Sequence, residues 1–197
     1  MNFFDLITSA DFAILNFIQD FIRCDFLDAV MPFLSFIGEH GLIWIIAFVP
    51  MLFFRKTRSW GIIMILSMGL AFFIGEIFIK NVVCRVRPCY FADIEMLVEM
   101  PNSYSFPSGH SSSSFAAATA LFIMNKKTGV CAYVLAFLIA FSRLYNYVHF
   151  PSDVLCGILL GVLCAIVTVV IFRKAGFEKK LSGDLKYKKV DDNAEKL

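Results

Sequence analysis

A chain of 197 residues is long enough for one domain, and 59% of its residues are hydrophobic while only 17% are charged. An ordinary soluble domain is about 45–50% apolar and about 25% charged, so this composition excludes a soluble globule and points to a bilayer. The net charge of +2 says little until its distribution along the chain is known.

The first forty residues are amphipathic. Phe3, Ile7, Ile14, Phe17, Ile18 and Phe21 recur at helical spacing, with Asp5, Asp11, Gln19 and Asp20 between them. Such a segment suits the membrane interface. It is not expected to be a signal peptide, because it lacks a basic start and Asp5 and Asp11 interrupt its apolar stretch. A second short apolar stretch, Leu27 to Ile37, is expected to break at Pro32 and to close at Gly38. Either stretch leaves room for an additional span.

A membrane helix needs about 20 mostly apolar residues. The chain offers stretches near 39–55, 60–83, 107–125, 129–148 and 152–172, separated by Arg55–Arg58, Asn125–Gly129 and Phe150–Ser152. The expected fold is therefore all-α: a polytopic membrane helical bundle of five or six spans with an amphipathic N-terminal segment. Residues 1–38 form the interfacial segment, 39–173 the transmembrane core and 174–197 a polar, charge-rich tail. No internal repeat is visible. Thirteen of the eighteen Lys and Arg residues fall in 55–58, 126–127 and 173–197. Alternating spans put these segments on one side, which the positive-inside rule makes cytoplasmic. Arg23, Lys80, Arg85, Arg87 and Arg143 lie on the other side and need a specific reason to be there.

Three segments at the outward ends of the spans supply that reason. In Lys80–Pro88, Lys80 and Arg87 are seven apart; a helix would set both on one face, with Pro88 as its stop. A lysine and an arginine together suit an oxyanion, although Glu76, one turn earlier, could pair with Lys80. In Pro107-Ser108-Gly109-His110 a helix start offers backbone N–H groups to an anion, and Gly109 allows close approach. The third segment runs from Ser142-Arg143 to His149 and Asp153. A carboxylate that accepts from one imidazole nitrogen frees the other, which is the nucleophile-and-orienter arrangement of covalent catalysis. Ionisable groups at membrane depth are costly and usually functional. The third histidine, His40, is expected to be interfacial.

Lys80–Pro88 (K-x6-R-P), Pro107–His110 (P-S-G-H) and Ser142–Asp153 (S-R-x5-H-x3-D) resemble the three signature motifs of the type 2 phosphatidic acid phosphatase superfamily. The resemblance covers roughly 40–173. It implies a helical core shared with soluble haloperoxidases and acid phosphatases. It also implies roles: His149 as the nucleophile that becomes phosphohistidine, Asp153 as its orienter, and His110 as the acid for the leaving group. Lys80, Arg87, Arg143, Ser108 and the Gly109 amide would bind phosphate. The short chain and the stretch Leu27–Met31 are similar to bacterial members that act on undecaprenyl diphosphate or phosphatidylglycerophosphate; phosphatidic acid and diacylglycerol diphosphate are further substrates of the same chemistry.

The expected activity is hydrolysis of a membrane lipid phosphate or diphosphate on the extracytoplasmic face of a bacterial plasma membrane. The expected partners are the bilayer and the lipid, not nucleic acid. No carboxylate cluster suggests a two-metal site, so neither metal nor cofactor is expected. A transporter would place its charges across the midplane and show inverted repeats, which this chain does not. A catalytically silent lipid-binding relative would lack a histidine or a cation of the three motifs. The six cysteines show no CxxC or metal-type spacing. Cys131, Cys156 and Cys164 fall in apolar runs, and a link between Cys84 and Cys89 is left open.

Overall fold

The structure is a computed structural model and describes residues 3–176; from residue 177 onward the expected tail lies outside the described residues. Among these, regular structure is helical throughout. The α-helices are α1 (Phe3–Phe17), α2 (Asp25–Gly38), α3 (Leu42–Phe53), α4 (Arg55–Phe72), α5 (Lys80–Val83), α6 (Gly109–Met124), α7 (Lys126–Tyr145) and α8 (Pro151–Lys174). Four stretches are long and apolar enough to cross a membrane: Asp25–Phe53, Arg55–Tyr90, Lys126–Tyr145 and Pro151–Lys174.

The centre of the bundle is α6, which packs against α4, α7 and α8. Its 16 residues make it shorter than the expected span. It has no need to match the bilayer, because Ser111, Ser112, Ser114 and a run of alanines bury it on every side. Small residues let membrane helices approach closely. A Cβ at Gly157 of α8 would stand 2.6 Å from the Ser108 carbonyl, and one at Gly161 would collide with the carbonyl of Ser112 and the amide of Ala116. Trp44 of α3 donates its indole N–H to Ser114 at 3.0 Å. Large apolar side chains such as Ile46, Phe72, Phe137, Leu159 and Leu163 are exposed and suit lipid.

Helix ends follow their capping chemistry. Asn125 caps α7 by accepting from the Thr128 N–H at 3.1 Å, so the helix begins at Lys126, three residues earlier than expected. At the same end of the bundle, Thr57 and Arg58 donate to the carbonyls of Met51 and Leu52, which closes the last turn of α3. The helix α2 differs from expectation: it runs through Pro32 without breaking. Proline removes one intrahelical bond, and the packing of Met31, Leu34 and Ser35 against the body of the protein offsets that loss. Through a tight turn at His40 and Gly41, both with positive φ, α2 leads into α3.

The first helix lies across the end of the bundle opposite Arg55 and Lys126. Phe12 meets Phe150 edge-on at 5.1 Å, Leu15 is buried against Tyr147 and Phe150, and Gln19 donates to the Tyr145 carbonyl at 2.9 Å. Leu6, Ile14, Phe17 and Phe21 remain exposed, so one face of the helix is docked and the other is left apolar. The thiols of Cys84 and Cys89 are both free.

Candidate active site

At the end of the bundle that α1 covers, the C-terminal end of α4–α5, the N-termini of α6 and α8 and the C-terminus of α7 converge on a cavity of about 620 Å³. Lys80, Arg87, Gly109, His110, Arg143 and His149 line it. Residues as far apart in sequence as Gly38 and His149 are thus brought to one chamber, and two of the three cations reach it by routes the sequence did not foretell. Lys80 sits where α4 widens to π-helical pitch over Phe73–Ile79, an irregularity frequent at functional sites. The helix then ends at Cys84, whose φ of 51° is left-handed. Arg87 therefore does not share a helical face with Lys80, as its spacing suggested; it reaches the same chamber from extended backbone.

Arg87 is spent on protein acceptors. It donates to the Ser103 carbonyl at 2.7 Å, to Ser103 Oγ at 3.0 Å, to the Val148 carbonyl at 2.8 Å and to His149 Nε2 at 3.0 Å. A guanidinium can only donate, so His149 Nε2 carries a lone pair and the ring proton belongs on Nδ1. That atom faces Asp153 Oδ2 at 3.6 Å, beyond hydrogen-bond length. Burial, reinforced by the charges of Arg87, Arg143 and Lys80, holds the His149 imidazole well below its usual value near 6.5. His149 is therefore neutral at neutral pH, with its unprotonated Nε2 against Arg87 in the chamber that Lys80 and Arg143 also line.

The other expected residues fall as follows. Arg143 donates to Ser35 Oγ and keeps a buried Nε with no hydrogen-bond partner among the described residues. Unsatisfied buried donors are rare, and this one suits an anion. Lys80 is held by both carboxylate oxygens of Glu76 at 2.7 Å. A Cβ at Gly109 would collide with that same carboxylate, so Glu76 lies where an anion on the α6 N-terminus would lie. His110 donates from Nε2 to the Ser35 carbonyl at 3.1 Å, which leaves Nδ1 as its free nitrogen. Ser108 does not line the chamber; its buried hydroxyl caps α6 by accepting from Ser111. His40, expected to be interfacial, lines the chamber's rim.

The chain from residue 60 to 177 matches the model of the PAP2 superfamily. The chain belongs to the PAP2 superfamily. It is 36% identical over 162 residues to an undecaprenyl-diphosphatase of Sulfolobus acidocaldarius, covering 81% of this chain and 77% of that protein. Among solved structures it is similar to Aquifex aeolicus LpxE, with a TM-score of 0.72, 28% identity and coverage of 80% of this chain and 93% of that one. It is likewise similar to a PAP2-type phosphatidylglycerolphosphate phosphatase of Bacillus subtilis, with a TM-score of 0.69, 31% identity and coverage of 86% and 87%. The PAP2 chain is thus a multi-pass membrane phosphatase with a lipid phosphate as its substrate.

Sequence reading of this PAP2 chain missed the surroundings of Asp153. Its Oδ1 accepts from Arg85 Nη1 at 2.6 Å, and its Oδ2 accepts from the Phe150 N–H at 2.8 Å and from Ser105 Oγ. Arg85 Nη2 donates in turn to Asp11 at 2.8 Å. Arg85 lay in plain view inside the first motif, but nothing in its spacing pointed toward Asp153.

Proposed function

We propose that this PAP2 phosphatase converts undecaprenyl diphosphate to undecaprenyl phosphate through a phosphohistidine on His149, without metal or cofactor. The observation that carries the reading is the neutral His149, its Nε2 lone pair directed into a chamber walled by Lys80, Arg87 and Arg143. An incoming terminal phosphate takes the N–H groups of Arg87 from Nε2 and those of Lys80 from Glu76, and meets the free Nε of Arg143. The terminal phosphate enters carrying one proton, which it passes to Nδ1 of His110, the nitrogen not engaged by Ser35. Nε2 of His149 then attacks phosphorus as the bond to the bridging oxygen breaks, and His110 gives that proton to the bridging oxygen. Asp153 accepts a hydrogen bond from the His149 Nδ1–H, which keeps its proton as the ring becomes cationic. Water, deprotonated by His110, then attacks phosphorus, the P–N bond breaks, and inorganic phosphate leaves.

The lipid enters sideways. Beyond its polar end the chamber is lined by Ile45, Ile65, Met68 and Phe72, side chains of α3 and α4. An isoprenoid tail could follow this wall without leaving the bilayer, where removing it would expose apolar surface to water. The similarity to an undecaprenyl-diphosphatase supports that substrate. Similarity to the phosphatidylglycerolphosphate phosphatase makes phosphatidylglycerophosphate, or phosphatidic acid and diacylglycerol diphosphate, the second reading. The basic segments at the opposite end of the bundle support an orientation with the chamber outside the cytoplasm. Phosphate release from purified protein, compared across these four lipids, tests the reading. Undecaprenyl diphosphate should give the highest kcat/KM; a preference for phosphatidylglycerophosphate would establish the second substrate.

A further inference from the structure

The N-terminal helix lies outside the segment matched to the family, yet one of its carboxylates is buried beside the catalytic apparatus. Asp11 is 3% exposed. It accepts from Arg85 Nη2 at 2.8 Å, from the Ser152 N–H at 2.9 Å and from Ser152 Oγ at 2.5 Å. Arg85 Nη1 donates to Asp153 Oδ1 at 2.6 Å, and its guanidinium lies 3.9 Å over the Phe150 ring. Neither Asp11 nor Arg85 lines the chamber. A single guanidinium is thus clamped between two carboxylates, one from the first helix and one facing the nucleophile.

We propose that Asp11 and Arg85 are positioning residues of the reaction, a charged relay from α1 that fixes the Asp153 carboxylate against His149. This rests on His149 being the nucleophile. A fully buried carboxylate needs a compensating charge and satisfied oxygens. Arg85 supplies the charge and occupies Oδ1, so Oδ2 is the oxygen turned to Nδ1. Asp11 and Ser152 hold the guanidinium from behind, so that Arg85 cannot follow the phosphate into the chamber. Asp11, Arg85 and Asp153 together carry one net negative charge. That charge offsets the positive imidazole that forms when Nε2 bonds to phosphorus and Nδ1 keeps its proton. Without Asp11 the guanidinium is no longer held from behind and spends its whole charge on Asp153, so the carboxylate loses its hold on the imidazolium, although no contact with substrate has changed.

The test is steady-state kinetics of the full-length protein in lipid vesicles, with the substrate that wild type hydrolyses fastest and orthovanadate as the probe of the phosphate site. Asp11→Asn and Arg85→Ala should each lower kcat about 10- to 100-fold, the range set by interaction energies between contacting charged groups. KM and the vanadate inhibition constant should stay within about twofold of wild type, as expected for groups that touch only the orienter. The double variant should be no slower than Arg85→Ala, because Asp11 acts only through Arg85. Arg85→Lys, or free guanidinium added to Arg85→Ala, should recover part of kcat. A rise in KM at constant kcat, an unchanged kcat or additive losses would overturn the relay. Should Arg85→Ala fail to fold, Asp11→Asn, which preserves shape and removes only charge, decides alone. Active wild type with unaffected variants would refute the relay and leave the phosphatase reading standing; wild type inactive on every lipid phosphate would refute both.

Discussion

Arg87 and His149 are joined by a 3.0 Å contact from Nη1 to Nε2, and this contact assigns the imidazole tautomer. The same guanidinium is fixed by Ser103 and Val148, so in the proposed reaction it serves at once as a wall of the chamber and as a stop that aims the imidazole. Lysine carries the charge but cannot span four acceptors. Arg87→Lys should therefore lower kcat/KM about 100-fold or more, since each lost charge-assisted hydrogen bond is worth about 1.5–3 kcal/mol. A loss of less than threefold in kcat/KM would mean that the fork geometry is dispensable.

The pH dependence follows from the same group. On the proposed route only neutral His149 attacks, so activity is present above its folded-state pKa and is lost as pH falls through that value. Burial and three cations set the value well below 6.5, which puts the acid limb of kcat/KM below 6.5. Arg143→Gln removes one of these three charges and should move the limb upward. Substrate ionisation is common to both enzymes, so the displacement between their profiles reports the imidazole. Superimposable limbs would contradict it.

Close helix approach makes a prediction for stability. Gly161→Ala puts a methyl group against the Ser112 carbonyl and the Ala116 amide, which are backbone and cannot rotate away. Overpacking of this kind costs about 1–3 kcal/mol. Unfolding of the variant in detergent should show that loss, whereas Gly69→Ala, where an added Cβ meets nothing within 4 Å, should behave like wild type.

Sidedness is open to labelling. Glu95 is 90% exposed on the chamber's end of the bundle, and Lys127 stands at the start of α7 at the opposite end. With the native cysteines replaced, Glu95→Cys should react with an impermeant maleimide in intact cells, and Lys127→Cys only after permeabilisation. The reversed pattern would turn the chamber toward the cytoplasm.

The convergence of Lys80, Arg87, His110, Arg143 and His149 on one chamber was legible in the sequence because these are costly residue types near a membrane, set at fixed spacings beside helix ends. The membrane bundle was legible because lipid-facing helices need long apolar runs. What escaped was everything decided by tertiary approach. Asp11 and Asp153 are joined through Arg85, and no periodicity links an aspartate of the first helix to one of the last. The left-handed turn at Cys84 is invisible in a spacing argument that assumes continuous helix to Pro88. Pro32 read as a break because its missing bond is a local signal, while the packing that carries α2 through it is not. Ser108 read as a ligand because it shares a motif with Gly109 and His110, whereas its hydroxyl caps the start of α6.

The central claim is that phosphate passes through Nε2 of His149. The most direct measurement is an acid-labile, base-stable phosphoryl-protein trapped by rapid denaturation during turnover of terminally radiolabelled undecaprenyl diphosphate, with a chelator present throughout. Wild type should retain label on a peptide containing His149, while His149→Ala should retain none and lose several powers of ten in turnover. Rapid turnover without trapped label, label on another residue, or more than about a tenth of wild-type activity in His149→Ala would contradict the covalent route.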